Sequence, residues 1–95
     1  MAVKIIIKRR VSEKQYSELA PLLKQLRVLA MNQAGYVSGE TLQRVDDPNE
    51  CLVISTWQSI DDWRTWVLNK DRVAVQNGID SLLGEKTEYE IYNYA

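Results

Sequence analysis

The sequence predicts one α+β domain in which helices cover one face of an antiparallel sheet. Three observations support this prediction. Short runs rich in β-branched residues have the alternation typical of strands. Longer runs carry apolar residues at every third or fourth position, as amphipathic helices do. These runs follow one another as strand, helix, strand, strand, helices and strand. A chain of 95 residues has room for a single domain, which we expect to span residues 1–95.

The first strand is predicted over residues 3–9, with Val3, Ile5 and Ile7 on one side. A helix follows over about 13–33, where the apolar stripe is Tyr16, Leu19, Leu22, Leu23, Leu26, Leu29 and Ala30. Ser12 and Gln15 form a capping-box pattern at its start. Pro21 is expected to bend this helix rather than to end it, because the stripe continues on both sides.

The second half of the chain predicts a hairpin, two helices and a final strand. Strands at 35–44 and 51–58 flank an Asp-Asp-Pro-Asn turn at 46–49. Ser59 begins a short helix with the apolar face Ile60, Trp63, Trp66 and Val67. A further helix over 71–83 carries Val73, Gln76, Ile79, Leu82 and Leu83, and the last strand covers 87–94. This order is the ferredoxin-like β-α-β-β-α-α-β arrangement.

The strand at 51–58 indicates a homodimer. A sheet with one face in water alternates apolar and polar residues, but Leu52, Val53 and Ile54 are consecutive. The helices cover only one face, so we expect a second copy of the chain to cover the other. The tyrosines near the C-terminus could reach across such an interface: Tyr89, Tyr92 and Tyr94. The alternative is a monomer that exposes some valine and leucine.

Composition excludes several classes of function. Twelve basic against thirteen acidic residues give a net charge of −1, so no basic surface for nucleic acid is expected. No apolar run is long enough to span a membrane. Histidine is absent and Cys51 is the only cysteine, which rules out an intrachain disulfide, a His/Cys metal site and a Ser-His-Asp or Cys-His catalytic unit. These features suit a reducing cytoplasm, and Cys51 is expected to be a small buried apolar residue.

The candidate functional residues are mainly aromatic. Trp57 ends a strand, and Trp63 and Trp66 share one face of the next helix, so the three indoles could line a space between sheet and helix or simply fill the core. Gln76 interrupts an apolar helical face and needs a hydrogen-bonding partner, either the backbone or a ligand. Further candidates are Arg9 and Arg10 for an anionic or phenolic ligand, and Tyr36 or Glu40 as a base.

Residues 35–67, GYVSGETLQRVDDPNECLVISTWQSIDDWRTWV, resemble the central segment of the antibiotic biosynthesis monooxygenase (ABM) domain. The resemblance implies a dimeric α/β barrel with a cavity in each protomer. Some members oxidise phenols or quinols with O₂ and no cofactor, so no cofactor is expected, and a small aromatic compound and O₂ are the expected partners. Trp57 matches the cavity tryptophan of those enzymes, and Trp63 falls where they carry an aromatic residue. Val53 replaces their asparagine.

Haem-degrading members carry an asparagine on the first strand, a tryptophan on the helix and a histidine ten residues later. Trp66 matches that tryptophan, but Gln76 stands in place of the histidine and the first strand has no asparagine, so haem degradation by that route is not expected. The resemblance therefore implies a monooxygenase with Trp57 and Gln76 as catalytic candidates. The expected substrate contacts are Tyr36, Trp57, Trp63, Trp66 and Gln76. The alternative is a non-catalytic dimeric ligand-binding or stress-associated protein.

Overall fold

The computed structural model describes residues 1–95 and confirms the ferredoxin-like α+β fold. Its elements, in chain order, are β1 (Val3–Arg10), α1 (Glu13–Met31), β2 (Tyr36–Gln43), β3 (Glu50–Trp57), α2 (Ile60–Val67), α3 (Lys70–Leu83) and β4 (Glu90–Asn93). The first six lie within two residues of their predicted bounds. No helix is both long and apolar enough to cross a membrane.

The four strands form one antiparallel sheet in the order β2-β3-β1-β4. β1 lies inside the sheet and pairs with both β3 and β4. In the β1–β3 pair, Val3 is opposite Trp57 and Arg9 is opposite Cys51. A register shift between Tyr36 and Ser38 marks a bulge at the start of β2. The bulge lies beside the end of β3, where the aromatic residues gather.

The helices cover the sheet face formed by residues 3, 5, 7 and 9 of β1, of which the first three are apolar. Val3, Ile5 and Ile7 are buried on this face. The larger of two apolar clusters joins the sheet to α1 and α2 through the buried residues Val3, Ile5, Ala30, Trp57, Trp63 and Trp66. The smaller cluster joins α1 to α3 through Val11, Leu19, Val75 and Ile79. Cys51 is buried, as predicted.

The helix ends follow the capping signals. Ser12 accepts a hydrogen bond from the backbone of Gln15, whose side chain in turn accepts from the backbone N–H of Ser12, which completes the predicted capping box. Ser59 caps α2 by accepting from the backbone N–H of Asp62. α1 continues through Pro21 without ending there. Gly84 adopts a positive φ at the C-terminus of α3.

Two predictions about the C-terminal third are wrong. Val73 is exposed, and Arg72 and Val75 instead join Gln76 and Ile79 on the buried side of α3. The last strand begins at Glu90 rather than at residue 87. Residues 85–89 run along α3 instead of pairing with β1, and the Tyr89 hydroxyl bonds to groups on α3. Tyr89 is therefore packed inside the protomer and does not project from the free sheet face.

The sheet face away from the helices carries an apolar strip at its centre. Ile6 of β1 lies opposite Ile54 of β3, and Leu52 lies opposite Leu42 of β2. Ile6, Leu52 and Ile54 are only half-buried, and Leu42 is exposed. Tyr92 is exposed on β4, opposite Lys4. We refer to Ile6, Leu42, Leu52, Ile54 and Tyr92 as the outer apolar face.

Candidate functional site

A cavity of about 310 Å³ lies between the sheet and α1. Its walls come from three strands and two helices, and ten of its seventeen lining residues are hydrophobic. The lining residues on the strands are Ile7, Arg9, Tyr36, Gly39, Glu40, Thr41, Val53, Ser55 and Trp57. The helices contribute Tyr16, Ala20, Leu23, Lys24, Leu26, Arg27, Ala30 and Trp66.

Three aromatic side chains meet in the cavity wall. The ring centroids of Trp57 and Trp66 are 6.0 Å apart, with a 27° angle between the planes. Tyr36 meets Trp57 edge to face at 5.4 Å. Trp57 is 1% exposed, and its indole Nε1–H donates to Ser55 Oγ at 3.2 Å. The buried indole N–H is thereby satisfied, as it must be, and the ring is held in one orientation.

Two contacts shape the side of the cavity formed by β2. A Cβ atom built on Gly39 would lie 2.7 Å from the Tyr36 hydroxyl, so the absence of a side chain at Gly39 leaves room for that hydroxyl. Arg27 of α1 donates from Nη2 to the Gly39 carbonyl oxygen at 3.0 Å. This bond joins the helix to the sheet across the side of the cavity. Thr41 continues the wall along the same strand, whereas Glu40, a base candidate from the sequence, is paired with Ile54 and has its side chain on the opposite sheet face.

Trp63 and Gln76 were predicted from the sequence to contact the substrate together with Trp57 and Trp66. In the structure both residues lie outside this cavity. Trp63 is buried in the core and meets Tyr89 edge to face at 5.5 Å. Gln76 donates from Nε2 to Thr87 Oγ1 at 2.7 Å and to an oxygen of Asp80 at 3.0 Å. The Tyr89 hydroxyl donates to Gln76 Oε1 at 3.4 Å. The partners of this buried amide are therefore protein groups.

Gln76 belongs to a polar cluster that adjoins the cavity through Arg9. We define the polar cluster as Arg9, Arg72, Gln76, Asp80, Thr87 and Tyr89. Arg72 is buried, donates to the Val67 carbonyl oxygen at 3.1 Å and bonds to the Tyr89 hydroxyl. Its guanidinium carbon is 6.0 Å from the ring centroid of Trp66. This cation–π contact connects the polar cluster to the aromatic wall of the cavity.

The polar cluster carries two cations and one carboxylate. Burial lowers the pKa of Arg9, and the carboxylate of Asp80 opposes that change. Burial also lowers the pKa of Arg72, with Asp80 opposing and the charge of Arg9 adding to the decrease. Both guanidiniums stay protonated at neutral pH. The cluster therefore has more positive than negative charge.

Sequence reasoning named Arg9 as a candidate for an anionic ligand without placing it in the cavity, and it missed other lining residues. Arg9 stood out only as an arginine at a strand end, yet it shares the alternation of Val3, Ile5 and Ile7, and that parity places it on the helix-facing side. Ser55 and Val53 could be found in the same way from their spacing to Trp57. Gly39 and Arg27 gave no comparable signal. No group of three or more Cys, Asp or Glu side chains is arranged to hold a metal ion.

Comparison of the folds finds close structural neighbours at low sequence identity. A conserved protein from Methanosarcina mazei Go1 has a TM-score of 0.90 at 17% identity, covering 100% of this chain and 94% of the other. SnoaB, a cofactor-independent oxygenase from Streptomyces nogalater, has a TM-score of 0.85 at 16% identity, covering 99% and 93%. Rv0793 from Mycobacterium tuberculosis has a TM-score of 0.85 at 14% identity, covering 100% and 96%.

At these identities the structural likeness shows the fold alone. A search of the curated proteins found no match. The family model described as antibiotic biosynthesis monooxygenase matches residues 2–77, from β1 into α3. This match covers well over half of the chain and includes the aromatic wall of the cavity. The chain belongs to the antibiotic biosynthesis monooxygenase family.

Proposed function

We propose that this protein is an oxygenase that oxidises a small, electron-rich aromatic compound with O₂ and without a bound cofactor. The observation that carries the proposal is the cavity walled by Tyr36, Trp57 and Trp66 in a chain of this family. Flat aromatic side chains provide a surface on which a planar ring can stack. SnoaB, which has the same fold, is a cofactor-independent oxygenase.

The proposed chemistry asks little of the protein beyond binding and orientation. An ionised phenol or anthrone supplies an electron to O₂. Oxidation of an anthrone CH₂ to a ketone releases four electrons, which is the number needed to place one oxygen atom in the ketone and the other in water. No external reductant is then required. Glu40 is paired with Ile54 on the sheet face away from the cavity, so the proton of an acidic phenol or anthrone passes to water rather than to this carboxylate.

Oxygen uptake by chelator-treated protein tests this proposal, with anthrones and hydroquinones as the panel of substrates. Trp57→Phe is expected to lower kcat/KM by about tenfold, because a contact to the ring and the orientation set by Ser55 are both lost. Trp63→Phe is the matched control, since it makes the same substitution outside the cavity and is expected to stay near wild type. Equal rates for the two variants would remove Trp57 from the site.

Ligand binding without turnover is the second candidate function. Val53 favours it, because this residue lies in the cavity wall at the position where the resemblance places an asparagine of the quinone-forming oxygenases. A valine cannot donate a hydrogen bond to a reduced oxygen species. Saturable quenching of tryptophan fluorescence by the same compounds, without oxygen uptake, would support this function over the first.

A further inference from the structure

Arg9 is the one deeply buried cation in the cavity wall. It is 5% exposed, whereas the other charged lining residues, Lys24, Arg27 and Glu40, are exposed. Burial follows from its position on β1, because it shares the helix-facing side with Ile5 and Ile7. A guanidinium at such a position loses most of its contact with water. It therefore needs hydrogen-bond acceptors or a counter-ion from its surroundings.

The protein supplies almost none of these partners. A guanidinium has five N–H donors, but the one side-chain partner of Arg9 is Thr87 Oγ1, 3.5 Å from Nη2. Arg9 Nε is the only buried side-chain nitrogen or oxygen atom without a hydrogen-bond partner. The five salt bridges of the chain all involve other side chains. Arg9 is thus a buried cation without a paired anion.

The nearby charges do not correct this imbalance. The carboxylates of Asp80 and Glu85 both act on Arg9, but neither forms a salt bridge with it. Asp80 already accepts hydrogen bonds from Gln76 and from Thr87, the latter at 2.7 Å. Arg72 adds a second positive charge to the same cluster. The cavity wall carries three cations, Arg9 among them, whereas the side chain of its one acidic residue, Glu40, lies on the opposite sheet face beside Ile54. An anion in the cavity next to Arg9 would meet a favourable potential.

We propose that Arg9 binds the carboxylate of an aromatic acid whose rings lie along the cavity towards Trp57 and Trp66. A guanidinium and a carboxylate match in plane and spacing, which makes this the preferred partner of a buried arginine. Val3 is the residue of β1 that lies opposite Trp57. Arg9 is six residues further along the same strand, which is about 20 Å in an extended conformation. Ile7 and Val53 line the cavity between these two ends. The inference rests on the proposed function and specifies its substrate class.

Isothermal titration calorimetry with 2-naphthoate and 2-naphthamide tests the inference, because the two compounds share the ring system and differ in charge. Wild-type protein is expected to bind the acid at least about tenfold more tightly than the amide, the ratio typical of a hydrogen bond to a charged group. Arg9→Gln should bring this ratio close to one by weakening only the acid. Arg9→Lys should leave an intermediate ratio, because it keeps the charge and loses the planar fork.

Arg10→Gln is the matched control. Arg10 is the next residue on β1, is exposed on the opposite sheet face and is paired with Asp47 at 2.9 Å. This variant should keep the wild-type ratio. Circular dichroism checks that each variant is folded. If Arg9→Gln does not fold, the ratio of acid to amide affinity in the wild type and in Arg9→Lys still tests the role of Arg9.

The outcomes separate this inference from the proposed function. If wild-type protein binds the amide as tightly as the acid, or if Arg9→Gln keeps the preference for the acid, the role of Arg9 is overturned and the oxygenase proposal stands. If neither compound binds while an anthrone is oxidised, the role of Arg9 is likewise overturned. If neither compound binds and no oxygen is consumed with any substrate, both proposals fail.

Discussion

The carboxylate of Asp62 occupies the space in which a side chain on Gly35 would begin. A Cβ atom built on Gly35 would collide with the Cβ and carboxylate of Asp62. Gly35 also has a φ of +84°, a region in which other residues are strained. The same carboxylate accepts a hydrogen bond from Ser59 Oγ at 2.9 Å. The close contact between the Gly35 backbone and the Asp62 side chain therefore holds the start of α2 against the beginning of β2.

Gly35→Ala is expected to lower the free energy of unfolding by about 3 kcal/mol, through backbone strain and the clash with Asp62 together. Gly84→Ala is the matched control: its φ is +71°, but nothing lies within 4 Å of the new Cβ. It should cost only the strain, about 1 kcal/mol. Urea denaturation measures both. Equal losses would show that the contact with Asp62 relaxes freely.

Gln76→Ala is expected to destabilise the protein by about 1–3 kcal/mol, because it removes hydrogen bonds from three buried or half-buried partners. Asn77→Ala changes the next residue of α3, which is exposed, and should stay within about 0.5 kcal/mol of wild type. Thermal or urea unfolding gives the comparison. Since Gln76 lies outside the cavity, the affinity for an aromatic ligand should not change. A weaker affinity in the folded variant would place Gln76 in the site after all.

We expect the outer apolar face to join two copies of the chain. Ile54→Lys places a charge at the centre of this face, and burying it unpaired would cost several kcal/mol. Sedimentation at micromolar concentration should then show a dimer for the wild type and a monomer for the variant. Val45→Lys is the control, because Val45 is fully exposed in the hairpin turn. A wild-type monomer at this concentration would contradict the prediction.

Acid should weaken the contact between Arg10 and Asp47. The hydrogen bond from Arg10 is the main cause that lowers the pKa of Asp47 below its ordinary value of 3.8. A carboxyl group whose pKa is lower in the folded state stabilises the protein at pH values above its unfolded-state pKa. This stabilisation is lost as the pH falls through the folded-state pKa. Asp47→Asn should therefore lower the urea midpoint near neutral pH, and the difference from wild type should shrink as the pH falls below 3.8. Arg10→Gln, which removes the same bond from the other side, should show the same pH dependence.

The order of the elements could be predicted because local signals agree with the fold. Ser12 and Ser59 mark helix starts through their own hydrogen bonds, and the turn at 46–49 separates two strands that pair directly. Such signals depend on a few neighbouring residues and need no knowledge of tertiary structure. Only the start of β4 was wrong, because residues 85–89 follow α3 through hydrogen bonds that no periodicity encodes.

The residues of the site could be predicted only where the alternation of a strand determines which sheet face a side chain occupies. Trp57 faces the helices because it shares its side of β3 with Val53 and Ser55. Trp63 and Trp66 share one face of α2, but only Trp66 reaches the cavity, whereas Trp63 packs edge to face against Tyr89. Helical spacing gives the face of a residue, not its neighbour across the interface. That neighbour depends on the tertiary structure.

The position of β1 inside the sheet has a consequence for how the chain acquires its fold during synthesis. β1 is made before both of its neighbours, β3 and β4, which follow some forty and eighty residues later. The strand made next, β2, pairs with neither edge of β1, so one edge of β1 stays unpaired until β3 is made and the other until β4 is made. Such contacts between distant residues slow folding, and early release of β1 from the exit tunnel would make chaperone protection most valuable in that interval.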